Sequence, residues 1–243
     1  MPRLILWAGL LAAAIALGSC ASPPPGGGST PAAATPPPAA TETAAPPATR
    51  AAFEPAGPTP DIASVPRGRT PEGYNYLGDP QAPVTLLDYS DFLCTTCAFH
   101  VLETEPQIYE RYIATGKVRL VYRHLLQLGE GSLRASEAAE CAADQGKFWE
   151  MRRAIYEGQS AFNGPAGIEG ALAVFAQDIG LNMGDYNTCM VARTHRAAIE
   201  ADAQAARDAG IRSRPVFDIN GTRLVGAQPF GDFQQAIEAA LPQ

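Results

Sequence analysis

Two cysteines separated by two residues, Cys94-Thr95-Thr96-Cys97, are the part of this sequence best suited to chemistry. Thiols one helical turn apart can close a disulfide and reopen it by thiolate attack, so the pair can exchange two electrons with another dithiol. The same spacing can supply two ligands to a structural zinc ion, with His100 as a third from the same stretch. Such a site usually draws on a second C-x-x-C or Cys/His pair, and the sequence has no second C-x-x-C. Dithiol redox chemistry is therefore the first reading and metal binding the alternative. On the first reading neither a metal nor a cofactor is expected.

The flanking elements must place the two sulfurs. Val84-Thr85-Leu86-Leu87-Asp88-Tyr89 is an apolar, β-rich run of the kind found in buried strands. From about 95 to 114 the pattern is helical, with Phe99, Val101, Leu102, Ile108, Tyr109 and Tyr112 as apolar contributors and a kink expected at Pro106. The motif then falls at a strand-to-helix junction, with Cys94 at the helix start. Unpaired N–H groups and the helix dipole stabilise a thiolate there. A thiol pKa of ~8.5 can fall to between ~3.5 and ~7.5 at such positions. Cys94 is expected to be the exposed nucleophile and Cys97, one turn further in, the buried resolving thiol.

Later elements follow from punctuation. Residues 116–123 read as a second strand, and Ser132 as the N-cap of a helix over 133–145. Further helices are predicted at about 147–157, 167–178 and 183–193, broken at Gly164, Pro165 and Gly180. A helix over 194–209 leads to a strand at 216–219. Asn220-Gly221 signals a type I′ turn, with 222–225 returning antiparallel and a last helix over about 230–241. Cys141 and Cys189 both fall in the helical stretch. They are either bonded, with a structural role, or two buried thiols; an oxidising compartment favours the bond. His124 and His195 have no catalytic partner in sequence and read as structural or exposed.

The N-terminus argues for that compartment. Arg3 precedes an apolar run over 4–17, which is shorter than the roughly 20 residues of a membrane span, and small residues follow. Leu17-Gly18-Ser19-Cys20 resembles the lipobox of bacterial lipoproteins, which implies cleavage before Cys20 and a lipid on its thiol. Residues 1–19 are thus read as a signal peptide and 20–71 as a lipid-anchored tether. This second segment holds most of the 22 prolines and few large apolar side chains, too few to offset its ordering entropy. The folded domain is placed at 72–243, in the cell envelope, on the extracytoplasmic side of a membrane. A formal net charge of −7 argues against a nucleic-acid partner.

Taken together, Ala82-Pro83-Val84, Asp88-Tyr89-Ser90-Asp91-Phe92 with the C-x-x-C, the strand Gly116 to Arg123, Cys141-Ala142-Ala143-Asp144-Gln145-Gly146-Lys147-Phe148-Trp149 and Arg214-Pro215-Val216-Phe217-Asp218-Ile219-Asn220-Gly221 resemble the DsbA-like branch of the thioredoxin superfamily. The resemblance covers about 74–241. It implies an α/β thioredoxin fold with an inserted helical subdomain, about 130–193. It also implies a thiol:disulfide oxidoreductase that oxidises reduced exported proteins and is itself reoxidised by a quinone-linked membrane protein of the DsbB or vitamin-K-epoxide-reductase type. A reductase or isomerase using the same site is the alternative. Asp88 matches the buried acid that relays the inner cysteine's proton, whereas Asp91 is expected at the surface. Pro215 matches the cis proline facing the dithiol. Arg214, Thr95 and Thr96 are placed against the substrate. Two departures stand out: Arg214 replaces the usual Thr or Val before the proline, and Thr95-Thr96 replaces a dipeptide that begins with Pro in the family's oxidants.

Overall fold

The structure, a computed structural model, describes residues 62–242. The segments read as a signal peptide and, for the most part, a tether, with Cys20, therefore lie outside the described residues. One six-stranded mixed sheet runs in the order β1 (Arg67–Arg69), β2 (Asn75–Leu77), β4 (Val118–His124), β3 (Val84–Ser90), β5 (Val216–Ile219) and β6 (Thr222–Val225). β3 lies parallel to β4, with Ser90 opposite His124, and antiparallel to β5, with Tyr89 opposite Val216. Alternate side chains of β3 enter two apolar clusters, Val84 and Leu86 one and Leu87 and Tyr89 the other, so both faces are covered and the strand is apolar along most of its length. Asn220 (φ 47°) and Gly221 (φ 96°) turn β5 into β6, both in the left-handed conformation a type I′ turn requires.

Helical structure follows β3 directly. α1 (Thr95–Phe99) and α2 (Glu105–Ile108) alternate with π-helical turns at His100–Thr104 and Tyr109–Ile113. The expected kink at Pro106 is thus taken up as a widened turn just before it. Pro106 has no N–H to offer and its ring crowds the carbonyl four residues back, and the Glu105 N–H bonds the His100 carbonyl five residues back. The insert comprises α3 (Glu130–Ala143), α4 (Phe148–Glu157), α5 (Gly167–Asp178) and α6 (Met183–Ala192), followed by α7 (Arg196–Asp208) and α8 (Phe230–Ala240).

Two expectations are corrected. α3 starts at Glu130, not after Ser132, because Gly129 at φ 86° turns the chain into the helix earlier. Ser132 is buried within the first turn and its hydroxyl is claimed by the Asp91 carboxylate instead of a backbone N–H. The sheet also begins before residue 72. Arg67-Gly68-Arg69 has no apolar alternation to announce a strand, yet it pairs with β2 as an edge, Arg67 opposite Leu77. Gly73, at φ 94°, permits the turn between them. Ion pairs of Arg67 with Glu150 (2.6 Å) and Arg69 with Glu140 (2.8 Å) tie this hairpin to the helical insert. No helix among the described residues is long and apolar enough to cross a membrane.

Cys141 of α3 and Cys189 of α6 are disulfide-bonded, with Cα atoms 5.9 Å apart. The bond closes a loop with a sequence separation of 48. Replacing both cysteines by alanine is expected to cost about 2–4 kcal/mol in urea unfolding, the upper end being the chain-entropy value for such a loop. The rate of thiol exchange at Cys94 is expected to stay unchanged. An unaltered unfolding midpoint would remove the structural role of the bond.

Candidate active site

Cys94 is the N-cap of α1, with extended backbone (φ −81°, ψ 117°), and its sulfur accepts the Cys97 N–H at 3.2 Å. Its thiol is lowered to about 7. The main cause is a hydrogen bond from the Cys97 thiol, which outweighs partial burial; the Cys97 N–H, the Arg214 charge and the Thr96 N–H add to it. Cys97 is fully buried and goes the other way. Burial pushes its thiol up first, then the bond it donates to Cys94 and the negative charges of Cys94 and Asp88. One sulfur is thereby held ready as a thiolate while the other keeps its proton.

Cys94 is less open than the expected exposed nucleophile, with only 6% of its surface accessible. The physical reason is its capping role, which turns the sulfur back towards the Cys97 N–H. It still borders an open groove of about 540 Å³, lined also by Leu93, Thr95, Thr96, Leu128, Arg212 and Arg214. The Arg214–Pro215 peptide is cis and leads straight into β5. The pairing of β5 with β3 brings Arg214 to the groove, and its guanidinium donates to Gln127 Oε1 at 2.9 Å.

Asp88 is wholly buried on β3, as the resemblance implies. It accepts from the Ser90 hydroxyl and from Arg152 Nη2 at 2.7 Å. Burial raises its carboxyl above the ordinary range, with the Arg152 charge the chief opposing influence. Arg152, from α4, also grips both oxygens of Glu105 at 2.7 Å. The triad Asp88–Arg152–Glu105 was not readable in sequence. An arginine on an amphipathic helix looks like surface, and 64 residues separate it from Asp88.

Asp91 overturns its expectation of a surface position: it is 0% exposed. Its carboxylate accepts the N–H groups of Leu93 (2.9 Å), Gln127 (2.8 Å) and Leu128 (3.2 Å) and the Ser132 hydroxyl (2.8 Å). Its backbone carbonyl takes the Cys94 N–H at 3.0 Å. These bonds satisfy a buried charge and fix the start of α1 against the loop after β4, which explains the burial. Gln159 of the insert braces the same segment through the carbonyls of Phe92 (2.8 Å) and Cys94 (3.2 Å). The helix-start signal around Asp91 was visible; its long-range partners were not.

The histidines fall away from the dithiol chemistry. His100 is buried against Phe217 and Phe233, ring centroids at 4.2 and 4.9 Å, and burial followed by the Arg152 charge keeps it well below its usual range. Among the described residues the Cys, His and carboxylate atoms that converge are those of Cys141, Cys189 and His195, whose two sulfurs are bonded to each other; Cys94, Cys97 and His100 do not converge. His124 meets Glu140 and His195 meets Asp144, each at 2.7 Å, as structural pairs.

Comparison with known proteins follows the same lines. A family model described as thioredoxin matches residues 70–239. The sodium/proton antiporter NhaA 3 of Salinispora tropica is 30% identical over 173 residues, covering 70% of this chain and 25% of that protein. The chain thus spans about a quarter of the length of such relatives. Disulfide bond formation protein D of Bacillus subtilis is 23% identical over 175 residues, covering 70% of this chain and 78% of that protein. The crystal structure of alpha-DsbA1 from Wolbachia pipientis superposes with a TM-score of 0.64 at 24% identity, covering 71% of this chain and 92% of that one.

Proposed function

Because the chain belongs to the thioredoxin family and has the fold of its DsbA-like members, we propose that it is a thiol:disulfide oxidoreductase that oxidises cysteines of exported proteins. The observation that carries the reading is the split between Cys94, lowered to about 7 beside an open groove, and Cys97, buried and raised behind it. In the oxidised state a substrate thiolate attacks the Cys94 sulfur. The Cys94–Cys97 bond breaks, and Cys97 leaves as a thiolate that takes up a proton. A second substrate thiolate then attacks the substrate sulfur of the mixed disulfide and expels Cys94 as its stabilised thiolate. The substrate loses two electrons and two protons, and the chain's disulfide gains the two electrons.

Asp88 is the nearby acid that receives or returns the Cys97 proton, and Arg152 positions it. Arg214 stabilises the Cys94 thiolate, and the backbone at Arg214 and Pro215 pairs with the substrate strand, with Thr95 and Thr96 at the rim. The full chain is anchored through Cys20 to a membrane on its extracytoplasmic side, and a quinone-linked membrane protein of the DsbB or vitamin-K-epoxide-reductase type restores the disulfide. A relative named for disulfide bond formation supports donation rather than removal of disulfides. One observation favours the second reading, a reductase or isomerase. A Cys94 value of about 7 is nearer to thioredoxin's (about 7) than to DsbA's (about 3.5). Equilibration with glutathione separates the two. A potential more positive than about −200 mV is expected for a donor, whereas one near thioredoxin's value of about −270 mV assigns the reductase role.

A further inference from the structure

The groove beside Cys94 carries positive charge that no carboxylate among the described residues lining it neutralises. The chain as a whole is acidic, with a formal net charge of −7, yet Arg212 and Arg214 line this groove and no aspartate or glutamate does among the described residues. Many other arginines meet a carboxylate, among them Arg67, Arg69, Arg123, Arg134, Arg152 and Arg193. The two groove arginines are held by neutral acceptors. Arg212 donates to the carbonyls of Arg207 and Ile211, and Arg214 to the side-chain oxygen of Gln127. Such partners fix a guanidinium in place without cancelling its charge.

Resting on the oxidoreductase reading, we infer that Arg212 and Arg214 make the groove select substrate segments whose reactive cysteine is flanked by carboxylates. A groove walled by protein focuses the field of its charges, so an acidic segment is drawn in faster and a basic one repelled. Leu128, 39% exposed, offers apolar contact to the same segment. The rival explanation is that Arg214 serves only the Cys94 thiolate. That role changes the rate for every substrate by one factor and leaves their ratio untouched.

The test uses the oxidised full chain and three reduced dithiol peptides, identical except that their cysteines are flanked by Glu, Gln or Lys. Each rate is divided by that peptide's uncatalysed rate with hydroxyethyl disulfide at the same pH, which removes differences in thiol acidity. The Glu peptide is expected to exceed the Lys peptide about tenfold at low salt. The ratio is expected to shrink towards one at 1 M salt, where the screening length is about 3 Å. In the Arg212→Gln/Arg214→Gln variant it is expected near one at low salt as well. A ratio near one in the parent, or one that survives both salt and the double substitution, overturns the inference. Failure of the parent to oxidise even the Gln peptide overturns the oxidoreductase reading, and this inference with it.

Discussion

Cys94→Ser is expected to lower catalysed oxidation of a reduced, unfolded protein by about a thousandfold or more, to the uncatalysed background. A serine oxygen cannot close a disulfide with Cys97 or form a mixed disulfide with substrate, so both exchange steps are lost. Cys97 cannot substitute: it is fully buried and its thiol is held protonated. Cys97→Ser is expected to behave differently. It has no disulfide to donate, so oxidation is lost as well, but its Cys94 thiolate still attacks a disulfide offered in a substrate and expels one substrate thiolate. It stays linked to the other sulfur because no inner thiol is left to release it, so that linked species accumulate. Quenched-time-point assays with mass spectrometry read both. Parent-like turnover by Cys94→Ser would mean that the groove and the helix start do not carry the chemistry.

Arg152→Met is expected to destabilise the fold by about 3–5 kcal/mol, because it leaves two carboxylates inside the protein without their cation. Asp88 is wholly buried and Glu105 partly so, and Arg152 reaches both at 2.7 Å. The loss should depend on pH in a definite direction. Burial already raises the Asp88 carboxyl above its ordinary range. A raised acid contributes stability below the ordinary carboxylate range and loses that contribution as pH rises through its folded-state value. Without Arg152 the value rises further, so the deficit is expected to be larger at about pH 8 than at about pH 5. Adding Asp88→Asn is expected to recover part of it, since the two effects share one interaction. Urea unfolding at the two pH values measures the cycle; additive effects and a pH-independent loss would show that Asp88 and Arg152 are not coupled.

The legible part of this protein was local. The apolar run of β3, the helix start at Cys94 and the Asn220-Gly221 turn each have signals within a few residues, and the structure has them where expected. The C-x-x-C and the position of Asp88 on the same strand were readable for the same reason. What escaped was long-range or against type. Arg67-Gly68-Arg69 becomes a strand only because β2 and two ion pairs hold it. Asp91 next to a helix start resembles a solvent-facing cap, and only the loop at Gln127 and Leu128, with Ser132, buries it. Arg152 and Glu105 converge on Asp88 through packing of α4 against the helix after β3, which no spacing in the chain encodes.

The asymmetry between the two sulfurs is tested most directly by alkylating the reduced protein across a range of pH and mapping the label to each cysteine. Cys94 is expected to be half-reactive near pH 7, in keeping with a thiol lowered to about 7, against about 8.5 for an unperturbed cysteine. Cys97 is expected to stay unlabelled throughout while the protein is folded. Labelling of Cys97 before Cys94, or a Cys94 midpoint at or above about 8.5, would contradict a thiolate nucleophile at the helix start backed by a protonated partner.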